Sequence, residues 1–454
     1  MPFPPVSSSP IERPDSLTLE SLSSRYNEVG SSSLKNGAPH YAQSRRHIGA
    51  VCLAALSGAF VLGSYGFTRN ASTAMFLTEF GASAMPYNMA VVPLFMCLAA
   101  WLFNRALSRF GSLRALLLSL VFFGATLGSA LSFIFEQSRW AVAVFDVIVQ
   151  VFVVVTIEQH WSFFNSILSE RQAKSYNGFI LTAFSVGPMI TGGLTGVLAQ
   201  KIGSEGIMLT GLLMLLVPAL LMAVAYWLIG TSTIEQSERI DYNRTQSVRH
   251  SSLRENVSLI KNTPILVLLV LLTLCSQMVA ATVACNYNYA MEAARHSRDY
   301  MTAYMGTIWM YSNIVTLFCQ LVAAPFLLRR LQLRTILMLV PLLNFVFTLT
   351  FMAHQTLALS AFAYAAYKCL DYSLFKAAKE IFYIPHSFDV RYRVKQLIDS
   401  LFYRFSNGVA AVGLIALIPL GAAAGMHVFA PLVLLTCAVW FVVCLRIPTR
   451  ARPD

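Results

Sequence analysis

The chain has 454 residues, of which 56% are hydrophobic and 12% charged, with a mean hydropathy of +0.62. A soluble domain carries roughly 25% charged residues, so the composition excludes one and points to a multi-pass membrane protein. The formal net charge of +12 raises a nucleic-acid partner, a reading that the placement of the basic residues decides.

Residues 1–46 are rich in Ser and Pro and carry mixed charge. A signal peptide would place its apolar core much closer to Met1, so this stretch reads as a disordered cytoplasmic tail. About twelve apolar runs of roughly 20 residues follow, each long enough for a transmembrane helix. The first six, at 47–67, 86–104, 113–135, 140–161, 177–200 and 207–230, define an amino-terminal six-helix bundle over 47–230. The longest polar connection, 231–263, is a cytoplasmic linker. Six more runs, at 264–284, 303–328, 333–353, 357–376, 404–424 and 427–446, make a carboxyl-terminal bundle over 264–446, and 447–454 is a cytoplasmic tail. The expected fold is an all-α membrane protein of about 12 transmembrane helices in two six-helix bundles, which resembles the six-plus-six plan of the major facilitator superfamily.

Arg69 follows the first span in GSYGFTRNAS. A cation at a vestibule can attract an anionic substrate and hold it in a fork. The other reading is an external anchor that snorkels to the interface. After the second span, FNRALSRFGSLRALLL from Phe103 is similar to that superfamily's short cytoplasmic loop, with Ser108 where an acidic residue is usual.

The fourth span carries Asp146 and Glu158. Carboxylates at membrane depth are costly and face a partner or a wet cavity. These two are twelve positions apart, more than three helical turns, so they cannot form one acid pair. Asp146 is a candidate coupling or gating group, with an interhelical hydrogen bond as the alternative. Glu158, beside His160 and Trp161, is a second such candidate near the cytoplasmic surface, where an interface role is the alternative. In the fifth span Gly187, Gly192, Gly193 and Gly196 permit close helix contact, and Pro188 can kink the helix.

After the seventh span, Asn286, Tyr287, Asn288 and Tyr289 could stack on and hydrogen-bond a base-like ring, although Tyr is also enriched at membrane interfaces. Asn288 is the substrate-binding candidate of this cluster. The tenth span runs into DYSLFKAAKEIFYIPHSFDVRYRVKQLID, Asp371 to Asp399. Lys368 and Asp371 lie at i,i+3 and Lys376 and Glu380 at i,i+4, so each pair can share a helix face. Lys368 and Lys379 are candidate substrate contacts, and Asp371 and Glu380 candidate gating groups. Pro385 should end the helix, and Arg391, Arg393, Lys395 and Arg404 form a basic cytoplasmic segment.

With the amino terminus cytoplasmic, Arg45, Arg46, Arg105, Arg109, Arg114, Arg171, Lys174, the cluster Arg239 to Lys261 and the basic residues from Arg329 onward outside the spans all fall inside. Arg69, Arg139, Lys201, Arg295 and Arg298 remain outside, a strong positive-inside asymmetry. The basic residues therefore follow topology, and no nucleic-acid partner is expected. The eight cysteines have no CxxC or metal spacing. No cofactor or metal is expected. HExxH, GxSxG and Walker motifs are absent, so the chain is not expected to be an enzyme.

The segment from Tyr372 to Asp399 resembles the ATP/ADP translocase family of plastids and intracellular bacteria. It follows that family's order of YSLF, three residues, KE, an apolar or aromatic pair, YIP, then basic residues leading to Leu, Ile, Asp. HWSFFNSILSERQAKSYNGF from His160 and TAYMGTIWMYSNIVTL from Thr302 are similar to two further family segments. The resemblance implies nucleotide exchange across an inner membrane by alternating access. Departures from it are specific. In the first outer segment Arg69 is kept, but Asn70 and Ser72 stand at an acidic position and at the lysine held to contact substrate. The fourth-span glutamate falls near Val149 and Gln150, and the seventh-span glutamate near Ala284 or Cys285. The tenth-span lysine and aspartate are exchanged, as Asp371 and Lys376, while Lys379 and Glu380 match directly.

The expectation is a monomeric secondary transporter of a bacterial inner membrane, with both termini cytoplasmic, moving a nucleotide or another organic anion. A proton-coupled importer or exporter of a metabolite, chelator or drug-like compound, using Asp146, is the alternative.

Overall fold

The computed structural model describes residues 37–168, 170–230, 260–383, 398, 403–421 and 429–447. Most of the expected tail and linker, Pro385, and Arg391, Arg393 and Lys395 lie outside the described residues. Every regular element among those described is helical. In chain order they are α1 (Gly37–Phe80), α2 (Met85–Phe110), α3 (Ser112–Phe135), α4 (Arg139–Ile167), α5 (Glu170–Met214) and α6 (Leu216–Ile229). Then come α7 (Pro264–Ala293), α8 (Arg298–Phe318), α9 (Ala324–Arg330), α10 (Leu333–His354), α11 (Leu357–Leu370), α12 (Lys376–Tyr383), α13 (Tyr403–Gly421) and α14 (Ala430–Leu445). A helix satisfies its own backbone polar groups, which is why long apolar runs in lipid settle into this form.

Single residues set the breaks. Gly111, with φ 79°, makes the one-residue turn between α2 and α3 inside the basic loop that begins at Phe103. Gly203, at φ 76° and ψ 167°, interrupts α5 in a region of backbone space that only glycine visits without strain. That break divides the 55-residue apolar stretch Ser175–Ile229 into the fifth and sixth crossings. Two π turns, Cys319–Ala323 and Asp371–Phe375, join α8 to α9 and α11 to α12, so these pairs each make one crossing. Among the described residues, eight helical stretches are long and apolar enough to cross a membrane and two shorter apolar helices follow; with α5 divided at Gly203 and α11 joined to α12, the helices fall into twelve segments, six before and six after residues 231–259.

Two helices outrun their apolar signal. The first run was expected to end at 67 and the seventh at 284, whereas α1 continues to Phe80 and α7 to Ala293. Arg69 and the Asn286–Tyr289 cluster therefore sit within helices rather than after them. The polar residues that ended the apolar count are satisfied locally: Thr68 Oγ1 donates to the Ser64 carbonyl at 2.9 Å and Asn70 Nδ2 to the Gly66 carbonyl at 2.7 Å.

The glycines of α5 are contact surfaces. A Cβ on Gly187 would lie 1.9 Å from the Ala59 carbonyl oxygen of α1. One on Gly192 would meet the Gly306 carbonyl of α8 at 2.8 Å, and one on Gly196 the Thr307 hydroxyl at 2.5 Å. These small residues bring α5 into backbone contact with α1 and α8, the packing that small-residue stripes serve in membranes. The helix ends beside them are also tied. Asp299 Oδ1 accepts from the Ser204 amide at 2.8 Å and its hydroxyl at 2.6 Å, and Arg298 pairs with Glu205 at 2.7 Å. Glu292 Oε2 accepts from the Ala82 amide, at the start of the short turn into α2, at 2.8 Å.

Candidate functional site

Arg69 points from α1 at residues of the second six crossings. Its Nη2 donates to the Tyr364 hydroxyl of α11 at 3.0 Å, and its guanidinium lies 4.6 Å from the Trp309 ring centroid of α8. Lys368, one turn beyond Tyr364, places Nζ 4.2 Å from the same Trp309 ring and 5.1 Å from that of Tyr364. Tyr287 of α7 stacks on Tyr364, with ring centroids 4.9 Å apart and planes inclined by 9°. Two cations thus share one indole. Among the described residues no carboxylate lies within 4.0 Å of either, and the ion pairs of Arg298 lie elsewhere.

Asp146 is held a short distance away. Its Oδ1 accepts from Ser72 Oγ at 2.6 Å and Thr73 Oγ1 at 3.4 Å, and its Oδ2 from Asn88 Nδ2 at 2.6 Å and Gln150 Nε2 at 2.9 Å. Three helices therefore converge on one carboxylate. A buried carboxylate needs its lone pairs filled, and four donors do so here. Arg69, Asp146, Asn288 and Trp309 line one cavity of about 90 Å³, with walls contributed by α1, α2, α4, α7, α8 and α11. The cavity lies between the first and second six crossings.

A second polar cluster lies further along the tenth crossing. Ser276 Oγ of α7 donates to Asp371 Oδ1 at 2.6 Å, and Tyr367 donates through its hydroxyl to the Ser276 carbonyl at 2.8 Å. Lys379 and Lys376 act electrostatically on Asp371. Lys379 is buried, with Nζ 5.7 Å from the Phe375 ring centroid. The i,i+3 spacing of Lys368 and Asp371 does not set their partners. Lys368 turns to Trp309 and Asp371 to Ser276, diverging where α11 enters its π turn.

The structure therefore puts Arg69, Asn288 and Asp146 on one cavity, with Lys368 beside it against Trp309, and puts Lys379 and Asp371 in another place. Glu158 is exposed on α4 and Glu380 half-buried on α12, and neither lines the cavity. His160, beside Glu158, is fully buried and bridges α4 to α1 through a 2.8 Å contact from Nε2 to Ser57 Oγ. Sequence reading missed Trp309, Tyr364 and Asn88. A Trp among Tyr and Thr in the middle of a span was the available signal. The departures from the translocase pattern are not scattered: Ser72 and Gln150 bind Asp146, and Asn70 and Ala284 line the same cavity.

Known proteins agree with this architecture. Residues 48–375 match the Major Facilitator Superfamily. The resemblance to nucleotide translocases is matched by ADP,ATP carrier protein 1 of Chlamydia muridarum (strain MoPn / Nigg) and its counterpart in Chlamydia trachomatis serovar D. Each is 23% identical over 309 residues, covering 61% of this chain. The chain spans 58% of the length of those curated relatives. Among solved structures, a D-xylose-proton symporter superposes with a TM-score of 0.63 at 14% identity, over 90% of this chain and 99% of its own. An auto-inhibited POT family peptide transporter gives 0.61 at 12% identity, over 88% and 97%. A nucleoside transporter gives 0.57 at 13%, over 89% and 98%. With twelve helical crossings, a polar cavity between their two sets of six and a match over most of its length, the chain is a member of the Major Facilitator Superfamily, a multi-pass integral membrane protein of transporter type.

Proposed function

We infer that the protein is a secondary transporter that moves an organic anion by alternating access, with the anion held between Arg69 and Lys368. The observation that carries this reading is that both cations, inside membrane-spanning helices, have aromatic and phenolic groups as their nearest partners, with no carboxylate within 4.0 Å among the described residues. Removing an ion from water costs several kcal/mol even after relaxation. A desolvated cation–π contact returns about 2 kcal/mol, so two cations on one indole remain under-compensated. An anionic group entering the cavity supplies what is missing, in a fork that Arg69 suits. Asn288 and the stacked Tyr287 offer hydrogen bonding and an aromatic face to the rest of the solute.

The Chlamydia relatives are named as ADP,ATP carriers, which supports a nucleotide as one such anion. The local charge argues for a less charged cargo than a triphosphate. Where the translocase pattern implies a lysine, Ser72 instead binds Asp146, a carboxylate that would repel a polyanion. Asp371, Lys379 and Glu380 act in this reading as partners that rearrange as the bundles 47–230 and 264–446 rock about the cavity, with Glu158 at the cytoplasmic end. The positive-inside pattern supports an inner membrane and cytoplasmic termini. Counterflow of labelled ATP, ADP, AMP and small organic acids in proteoliposomes tests the claim. Saturable exchange of at least one anion, lost in Arg69→Ala, is expected; exchange of none of them removes it.

Proton coupling through Asp146 is a second reading, favoured by its position in the same cavity as Arg69. It requires uptake driven by a pH gradient and abolished by Asp146→Asn. Strict exchange persists without a gradient, so the two are separable.

A further inference from the structure

A cleft of about 970 Å³ opens between α2, α3 and α4, more than ten times the volume of the polar cavity. We propose that it is a binding site for a membrane phospholipid, the acyl chain lying in the cleft and the phosphate meeting Arg139.

Three observations define the ligand. The lining on α2 runs from Tyr87 to Ala106. At about 1.5 Å per residue that is roughly 28 Å of helix, close to the ~30 Å hydrocarbon thickness of a bilayer. Its rim carries exposed apolar side chains such as Leu98, Phe122 and Val144, so the opening faces hydrocarbon.

Asn88, Thr126 and Ser119, the polar residues of the lining other than its aromatic side chains, already have partners. Asn88 donates to Asp146, Thr126 to the Phe122 carbonyl, and Ser119 to the Ala115 carbonyl while accepting from Gln159. Each is satisfied within the protein, leaving an apolar floor. An apolar cavity of this kind does not hold water, and within the hydrocarbon layer the available filler is an acyl chain.

The mouth has a different chemistry. Trp140 and Phe80 line it, and the exposed Arg139 places its guanidinium 5.3 Å from each of their ring centroids. Aromatic rings with a guanidinium above them are suited to the headgroup level, where Arg meets phosphate in a bidentate fashion. A phospholipid satisfies both ends at once: chain below, phosphate above. Its chain would also press on Asn88, whose amide holds Asp146, so the lipid would sit one side chain from the transport cavity.

The test uses the purified full chain and phospholipid brominated near the top of its acyl chains. Trp227 on α6 is exposed outside the cleft and serves as the reference. Trp140→Phe and Trp227→Phe isolate the two contributions to fluorescence. At about one brominated lipid per protein in detergent, the Trp140 contribution should fall at least twofold more than that of Trp227, and Arg139→Gln should remove the difference. Native mass spectrometry should find one retained phospholipid, lost in Ala143→Phe, which fills the cleft. Equal quenching of both tryptophans across the titration would overturn the proposal whether or not the filled variant folds.

Discussion

Ser72 Oγ donates to Asp146 Oδ1 over 2.6 Å, joining α1 to α4 where the translocase resemblance implies a lysine. A hydroxyl at that position replaces a second cation with a neutral donor. The carboxylate it binds lies one helical turn before Gln150, near which the resemblance implies a glutamate. Asp146 supplies a carboxylate to this region of α4.

Exchanging the carboxylate for an amide tests that arrangement. Asp146→Asn leaves two amides and two hydroxyls facing an amide, so at least one buried donor loses its acceptor. We expect a loss of about 1–3 kcal/mol of stability. Thermal unfolding in detergent checks it, and a melting temperature equal to wild type would contradict a structural role for the four-donor arrangement.

Arg69→Lys should fail to substitute. Lysine keeps the charge but not the planar fork that reaches Tyr364 while lying over Trp309. Losing a charge-assisted contact of about 1.5–3 kcal/mol corresponds to roughly a 10- to 100-fold weaker anion affinity. Isothermal titration with whichever anion exchanges measures it, and an unchanged affinity would place the substrate elsewhere.

Trp309→Leu removes the ring shared by Arg69 and Lys368. Both cations then lose an aromatic partner, and anion binding should change more than in Tyr287→Phe, which keeps a ring against Tyr364. Equal effects of the two variants would argue against the indole as the organising element.

In α5, Gly187→Ala places a methyl 1.9 Å from the Ala59 carbonyl oxygen, where only backbone movement can make room. Overpacking of this kind costs about 1–3 kcal/mol. Gly124→Ala on α3, whose added Cβ meets nothing within 4 Å, is the matched control. The expected order of melting temperatures is wild type, close to Gly124→Ala, then Gly187→Ala.

The fold was legible because lipid imposes one rule on every span. Apolar runs had to be helices, and the break between the fifth and sixth crossings appeared as a gap at 200–207 that the structure fills with Gly203. Helix ends were less legible wherever polar residues bond their own preceding turn, as Thr68 and Asn70 do. Of the site, Lys368 and Asp146 stood out because charge in an apolar run is conspicuous, and Arg69 because it stood just past the end of one. Trp309, Tyr364 and Asn88 belong to types common in membrane helices, and only the meeting of α2, α4, α8 and α11 gives them a role. The partners of Lys368 and Asp371 were beyond local spacing, since side chains on α7 and α8 decide them.

Asp299 and Glu292 reach from the second six crossings to backbone amides of the first six, at Ser204 and Ala82. The first six crossings thus begin two of their segments with acceptors on loan from the second six. Parting them on that side strips the starts of two segments at once, and water must complete both. Water is a partial replacement, and for bonds to a carboxylate the net cost is about 1.5–3 kcal/mol each. In the alternating access proposed above, opening on that side would have to release both ties together, and closing would restore them.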